Sequence, residues 1–182
     1  MRVIAGTARG NPLKVPPTLT RPSTDRLREA LFSILQSYLE GATVLDLFAG
    51  SGALGIEALS RGAKEGVFVE HNRAAARCIR ENLEKAGLSE RARVHEQDAF
   101  AYLRKHGDGF DLILADPPYL SNSNRDFGGE LIRNEALAER LSDDGVMVVE
   151  VEAHQEGMEA PGWDLVDRRT YGRSSILFYA RK

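Results

Sequence analysis

The stretch VLDLFAGSGALGIEAL, residues 44–59, joins an apolar β-prone run to a helical pattern through a glycine turn. The β-prone run ends at Leu47, Gly50 and Gly52 interrupt it, and apolar residues then return at helical spacing. In an open α/β sheet, ligands occupy the crevice beyond the strand ends, and glycines let a ligand approach the backbone closely. We therefore expect a binding site at this turn.

The spacing of Gly50, Gly52 and Gly55 matches G-x-G-x-x-G, so a nicotinamide or flavin dinucleotide is the first candidate ligand. Asp46 argues against it, because a carboxylate at the strand end would repel the pyrophosphate. S-adenosylmethionine carries an α-ammonium and a sulfonium, so the same carboxylate would attract it. The alternative is a buried Asp46 that only caps the following helix.

The longer stretch DLFAGSGALGIEALSRGA, which begins at Asp46, resembles the first motif of the class I S-adenosylmethionine-dependent methyltransferases. This resemblance implies that Asp46, Gly50 and Gly52 line the methionine end of that cofactor. Phe48 lies inside the motif, and we predict that it also contributes to cofactor binding.

Two further carboxylates occupy positions that suit adenosine recognition. Glu70 ends the second predicted strand, residues 66–70, about 20 positions after Gly50, where an acid accepts hydrogen bonds from ribose hydroxyls in either cofactor class. The methyltransferase resemblance implies that Asp98 bonds the adenine amino group, with Ala99 beside it. Asp98 is equally suited to cap the helix that follows.

The run FDLILADPPY, residues 110–119, predicts a central strand that ends in an acid, two prolines and an aromatic. Its last four residues match the fourth motif of amino-group methyltransferases, [D/N/S]-P-P-[Y/F/W]. An exocyclic amine is a poor nucleophile because its lone pair is delocalised. If the Asp116 carboxylate and the Pro117 carbonyl accepted its N–H hydrogens, that lone pair would be freed. The prolines stiffen the turn and donate no N–H, and Tyr119 would stack on the base.

The composition is that of one globular domain, with 182 residues, 42% of them hydrophobic and 28% charged. We expect residues 1–22 to form a basic hairpin and arm, and residues 23–182 to form the cofactor-binding core. One cysteine and four scattered histidines predict neither a disulfide nor a metal site. Without a secretory or membrane-spanning apolar run, the expected location is the cytoplasm.

The net charge of −3 argues against indiscriminate nucleic-acid binding, but cations concentrate at the two ends of the chain. That distribution suggests a localised anionic partner. The residues predicted to contact RNA phosphates are Arg2, Arg9, Lys14, Arg21, Arg26, Arg28 and Arg173.

The order of apolar patterns predicts an α/β fold, doubly wound and Rossmann-like, with a mainly parallel seven-stranded sheet and one reversed strand at its edge. The remaining predicted elements are helices over residues 24–40, 73–86 and 130–141, a strand over 93–97, a strand over 145–152, and closing antiparallel strands over 163–171 and 174–179.

Four more segments, RVIAGTARGNPLKVP, RPSTDRLREALFSIL, ADPPY and RTYGRSSILFYAR, extend the resemblance to nearly the whole chain. Together with the first motif they resemble the bacterial methyltransferases that modify guanine N2 in 16S ribosomal RNA. The resemblance implies S-adenosylmethionine as cofactor and 16S rRNA, or an assembling small ribosomal subunit, as partner. It also implies that the amino-terminal arm and the basic surface contact RNA.

Alternatives to this assignment stay open from the sequence. DPPY also serves enzymes that methylate adenine N6 in nucleic acids or a glutamine amide in a release factor. From other classes, a nicotinamide oxidoreductase or a noncatalytic RNA-binding module with a cofactor-like fold remains possible.

Overall fold

The computed structural model describes residues 1–17, 24–105, 107–155 and 159–182. The α-helices are α1 (Asp25–Ile34), α2 (Ala53–Ser60), α3 (Arg73–Ala86), α4 (Ala99–Lys105), α5 (Leu120–Ser123), α6 (Phe127–Ile132) and α7 (Glu135–Ala138). The strands are β1 (Thr43–Leu47), β2 (Glu65–Glu70), β3 (Ala92–Glu96), β4 (Phe110–Ala115), β5 (Leu141–Glu152), β6 (Trp163–Tyr171) and β7 (Ser174–Arg181).

The strands form one seven-stranded sheet in the order β3-β2-β1-β4-β5-β7-β6. Strands β1 to β5 are parallel, and β7 runs antiparallel to both β5 and β6. The predicted mainly parallel seven-stranded sheet is confirmed, but the prediction that the reversed strand lies at the edge was wrong. Strand β7 is buried along most of its length and so fits between two neighbours, whereas the largely exposed β6 forms the edge.

Helices cover both faces of this sheet. On one face, α1, α2 and α3 contribute Phe32, Ile56 and Ile79 to a buried cluster. On the other face, α4 and α6 contribute Tyr102 and Leu131 to a second cluster. The central strands are therefore buried on both sides, which explains their nearly continuous apolar sequences.

The amino-terminal residues form a small hairpin that packs on α2. Within the hairpin, the Val3 amide donates to the Asn11 carbonyl at 2.9 Å. The buried Glu57 carboxylate of α2 accepts hydrogen bonds from the amides of Ile4, at 2.8 Å, and Ala5, at 3.0 Å. This part of the chain is thus attached to the core through a carboxylate inside an otherwise apolar helix.

Two predicted helices have different bounds in the structure. The helix predicted over residues 24–40 ends at Ile34, and a tighter 3-10 turn follows that still buries Leu35. The helix predicted over 130–141 is replaced by α6 and α7, because Asn134 between them adopts an extended backbone. At both places, packing and local turn chemistry end the helix although the spacing of apolar residues predicts that it continues.

Among the described residues, the structure contains neither a membrane-spanning helix nor a group of side chains suited to a metal ion. In that part of the chain, no helix is both long and apolar enough to cross a membrane. Nor does it bring three or more histidine, cysteine or acidic side chains together in a group that could hold a metal ion. Cys78 is buried, and its thiol donates to the Lys14 carbonyl at 3.1 Å.

Candidate active site

The carboxyl ends of β1 and β4 lie side by side at the centre of the sheet. Leu47, the last residue of β1, is in parallel register with Ala115, the last residue of β4. Phe48 and Asp116 therefore leave the sheet at the same edge. The glycine turn and the DPPY segment thus begin next to each other at this edge of the sheet.

Asp46 is buried, with 2% of its surface exposed, and its Oδ2 accepts a hydrogen bond from the Gly55 amide at 2.9 Å. Gly55 lies in the first turn of α2, so the carboxylate caps that helix, as the alternative interpretation of the sequence proposed. Burial, opposed by the Gly55 hydrogen bond and assisted by the nearby Glu70 charge, raises the pKa of Asp46 to about 7. A cation brought to this crevice would stabilise the charged carboxylate.

Glu70 holds the glycine turn from the end of β2. Its Oε2 accepts a hydrogen bond from the Gly50 amide, and its Oε1 accepts one from the Asn72 amide, at 2.9 and 2.8 Å. The turn uses left-handed backbone at Gly50 (φ 57°) and Gly52 (φ 78°), which glycine adopts without strain. Glu70 is buried, and through these two hydrogen bonds it helps to hold the turn in shape.

Asp98 and Ala99 follow β3 at the same edge of the sheet. The Asp98 side chain is exposed, and its Oδ1 accepts a hydrogen bond from the Ala101 amide at 2.9 Å. Asp98 thus caps α4, whose first residue, Ala99, is buried. An exposed carboxylate oxygen can accept a further hydrogen bond while it caps a helix.

Three phenylalanines meet beside this edge, one from the turn after β1 and one each from the first turns of α4 and α6. The Phe48 ring lies 6.3 Å from Phe100 and 5.6 Å from Phe127, measured between ring centroids. The Arg125 guanidinium covers Phe127 at 4.5 Å and pairs with Glu130 at 2.6 Å. Phe48 has a left-handed backbone (φ 58°), which is strained for a residue other than glycine. The segment after DPPY therefore contacts the segments that follow β1 and β3.

Tyr119, the last residue of DPPY, is anchored by two residues from the far strands. Its hydroxyl donates to Glu150 Oε1 at 2.8 Å and lies 2.6 Å from the Ser174 hydroxyl. Glu150 belongs to β5, and Ser174 begins β7. The sequence predicted Tyr119 but missed both anchors. An acid inside the apolar stretch GVMVVEVE was the one available signal for Glu150.

A second anchor fixes the next turn of the same segment. The Ser121 hydroxyl donates to Glu152 Oε1, and the Ser121 amide donates to Oε2 at 3.3 Å. The hydroxyl hydrogen bond holds the pKa of Glu152 below its usual value. Two acids of β5 thus position the residues that follow Asp116 and Pro117.

Among the predicted RNA-contacting residues, Arg28 requires a correction. Its side chain is fully buried, and its Nη2 donates to the Arg2 carbonyl and to Asp25 Oδ1, each at 2.7 Å. A buried guanidinium that joins α1 to the hairpin is not placed to contact a phosphate from solvent. A count of charges along the sequence cannot separate a buried arginine from an exposed one.

The other predicted cations are arranged differently. Arg2 is exposed and lies 3.6 Å from Asp25, and Lys14 is exposed and pairs with Glu81 at 2.6 Å. Three more have exposed positions, namely Arg9, Arg26 and Arg173. The predicted contact at Arg21 lies outside the described residues.

The strand order, the glycine turn after β1, the acid that ends β2 and the DPPY segment after β4 define a class I methyltransferase fold. The family model described as "Conserved hypothetical protein 95" matches residues 1–180. The chain belongs to this family, which includes the ribosomal RNA small subunit methyltransferases D. The methyltransferase family predicted from the sequence motifs is thereby confirmed.

Individual relatives support the same placement along the full chain. "Putative rRNA methyltransferase YlbH" of Bacillus subtilis (strain 168) is 38% identical and covers 100% of both chains. "Ribosomal RNA small subunit methyltransferase D" of Escherichia coli (strain K12) is 36% identical over 100% of this chain and 90% of its own. The solved structure "Putative methyltransferase yhhF from Escherichia coli" superposes with a TM-score of 0.87 at 35% identity, and the match covers 100% of this chain and 98% of that one.

Proposed function

We propose that this protein transfers a methyl group from S-adenosylmethionine to the exocyclic N2 of a guanine in 16S rRNA. The observation that carries the proposal is the adjacency of the glycine turn after β1 and the DPPY segment after β4. One crevice then serves a methyl donor and an amine acceptor. Relatives with 36% and 38% identity are named as rRNA methyltransferases, which supports an rRNA substrate.

The residues along the β1–β2–β3 edge fit the proposed cofactor. The desolvated Asp46 carboxylate gains from a nearby cation, and S-adenosylmethionine carries an ammonium and a sulfonium. Glu70 would bond the ribose hydroxyls, and Asp98 the adenine amino group, since each carboxylate can accept more hydrogen bonds than the backbone amides use. When bound, the cofactor supplies an electrophilic methyl group.

Asp116 and Pro117 would receive the target amine. The Asp116 carboxylate and the Pro117 carbonyl are acceptors, and acceptance of both amine hydrogens directs the nitrogen lone pair towards the donor. The two prolines fix φ in this turn and add no competing N–H donor. The in-line approach of donor and acceptor supplies much of the rate acceleration, so no covalent enzyme intermediate is required.

Tyr119 would stack on the extruded base. Its hydroxyl is held by Glu150 and Ser174, so the ring is fixed before the base arrives. An aromatic ring in a fixed position lowers the entropic cost of stacking on an unpaired base. The exposed cations near the amino and carboxyl ends would contact the RNA backbone, namely Arg2, Arg9, Lys14, Arg26 and Arg173.

Labelled S-adenosylmethionine offered with small-subunit particles and with naked 16S rRNA tests the proposal. We expect label in N2-methylguanosine when the RNA is digested and its nucleosides are resolved by mass spectrometry. Label in N6-methyladenosine, or only in protein, would refute the substrate assignment while leaving methyl transfer intact. Binding of NADH without binding of S-adenosylmethionine, measured by spectral titration and calorimetry, would refute the chemistry as well.

A further inference from the structure

A cleft of about 430 Å³ lies between α3 and the chain segment that follows the amino-terminal hairpin. None of its lining residues belongs to the glycine turn after β1 or to the DPPY segment after β4. One wall consists of Lys14, Val15, Pro16 and Pro17, and the other consists of Arg73, Ala74, Arg77, Cys78 and Glu81. The cleft is therefore a separate feature of the surface.

The charge of this cleft is predominantly positive. Arg73 and Arg77 lie one turn apart on the same side of α3, both are exposed, and no carboxylate among the described residues pairs with either one. Lys14 adds a third cation, and its partner Glu81, at 2.6 Å, is the only acid among the described lining residues. Two guanidinium groups thus line the cleft, and the acid of the same lining, Glu81, forms its ion pair with Lys14.

Buried hydrogen bonds fix the wall that carries Lys14. The side-chain oxygen of Asn82 in α3 accepts a hydrogen bond from the backbone amide of Lys14 at 2.8 Å. Its side-chain nitrogen donates to the backbone carbonyl of Lys14 at 2.9 Å. The same Asn82 nitrogen donates to the carbonyl of Ser51, within the glycine turn, at 2.9 Å. One fully buried side chain therefore joins the cleft wall to the loop that borders the active site.

We propose that this cleft binds the phosphate backbone of the RNA substrate on the cofactor side of the target nucleotide. The proposal rests on the function proposed above and adds Arg73 and Arg77 to its binding surface. Guanidinium groups bind phosphate oxygens in bidentate fashion, and the wall of Val15, Pro16 and Pro17 suits the apolar faces of the sugars. The Asn82 connection positions the bound strand relative to the glycine turn.

The test compares two double variants of α3 that change the net charge equally. In Arg73→Glu/Arg77→Glu both cations of the cleft are reversed, whereas Arg80→Glu/Lys85→Glu reverses two exposed cations of α3 that do not line it. Affinity for a 16S rRNA transcript is measured at several salt concentrations, together with kcat and KM for methyl transfer and the calorimetric affinity for S-adenosylmethionine. Thermal melting of each variant reports whether it is folded.

For the cleft variant we expect RNA affinity to fall about tenfold or more and the salt slope to decrease by about one to two, as for the loss of two phosphate contacts. KM should rise while kcat and cofactor affinity stay near wild type, and the control variant should change RNA affinity far less.

Equal losses in both variants, or an unchanged salt slope, would overturn the proposal. So would weaker binding to ribosomal particles but not to naked RNA, because that result would assign the cleft to a protein partner. If the wild type fails to methylate RNA at all, the proposed function fails first, and the two outcomes are thus distinguishable.

Discussion

Asp46 and Glu70 are two acids near one turn, but they act on it in different ways. Both carboxylate oxygens of Glu70 accept hydrogen bonds from backbone amides, and these hydrogen bonds stabilise the glycine turn. Asp46 accepts a hydrogen bond from one amide and is more deeply desolvated, and burial raises its pKa to about 7. At the residue scale, Asp46 is the group whose charge depends on what occupies the crevice.

This dependence predicts proton release when the cofactor binds. Because the pKa of Asp46 lies near 7, the carboxyl is mostly protonated below that pH and mostly charged above it. A cationic ligand favours the charged form, so S-adenosylmethionine should bind more tightly as pH rises through 7 and should displace a proton at pH 6.5. Calorimetry in buffers of different ionisation enthalpy measures that proton. The Asp46→Asn variant should show none, and equal binding enthalpies across buffers for the wild type would rule the idea out.

The sequence motifs single out candidate site residues but not the residues that support them. Asp46, Asp116 and Tyr119 lie in contiguous motifs, so a single sequence is enough to propose them. Glu150 and Ser174 hold Tyr119 from strands distant along the chain, and such contacts exist only after the sheet has formed. The burial of Arg28 likewise depends on the docked hairpin, which no local pattern encodes.

At the scale of elements, α3 connects more of the molecule than its amphipathic pattern indicates. Its bounds were predicted correctly because Asn72 and Gly87 cap it, with the Asn72 side chain accepting from the Ala75 amide at 3.0 Å. Its buried Asn82, however, also ties the segment after the hairpin to the glycine turn. An asparagine within a helical pattern carries no signal of such a role.

Replacement of that connection should be costly. Asn82→Ala removes three hydrogen bonds to the backbone and takes away the partner of the Lys14 amide and of the Ser51 carbonyl, so we expect a loss of about 2–3 kcal/mol in the free energy of unfolding. Urea denaturation measures the loss, and Asn122→Ala, at an exposed position of α5, is the matched control. A loss below about 0.5 kcal/mol, the range of ordinary surface substitutions, would show that the connection is not structural.

Across the whole molecule, the parallel sheet sets the geometry of the proposed reaction. The order β3-β2-β1-β4 brings Asp98, Glu70, the glycine turn and DPPY to one edge, in that order across the sheet. The alternation of strands and helices was enough to predict this arrangement. The position of β7 was not predictable in the same way, because the order of two antiparallel strands depends on which one is apolar on both faces.

The central claim is that Asp116 contacts the acceptor amine while a neighbouring strand end holds the methyl donor. The most direct measurement is single-turnover methyl transfer to 16S rRNA by Asp116→Ala, with the affinity for S-adenosylhomocysteine determined by calorimetry. Asp108→Ala, at an exposed position before the opposite end of β4, is the control. We predict that Asp116→Ala reduces the transfer rate by at least about a hundredfold, the range for loss of one transition-state contact, with cofactor affinity unchanged. A transfer rate within a few-fold of the Asp108→Ala control would contradict the account.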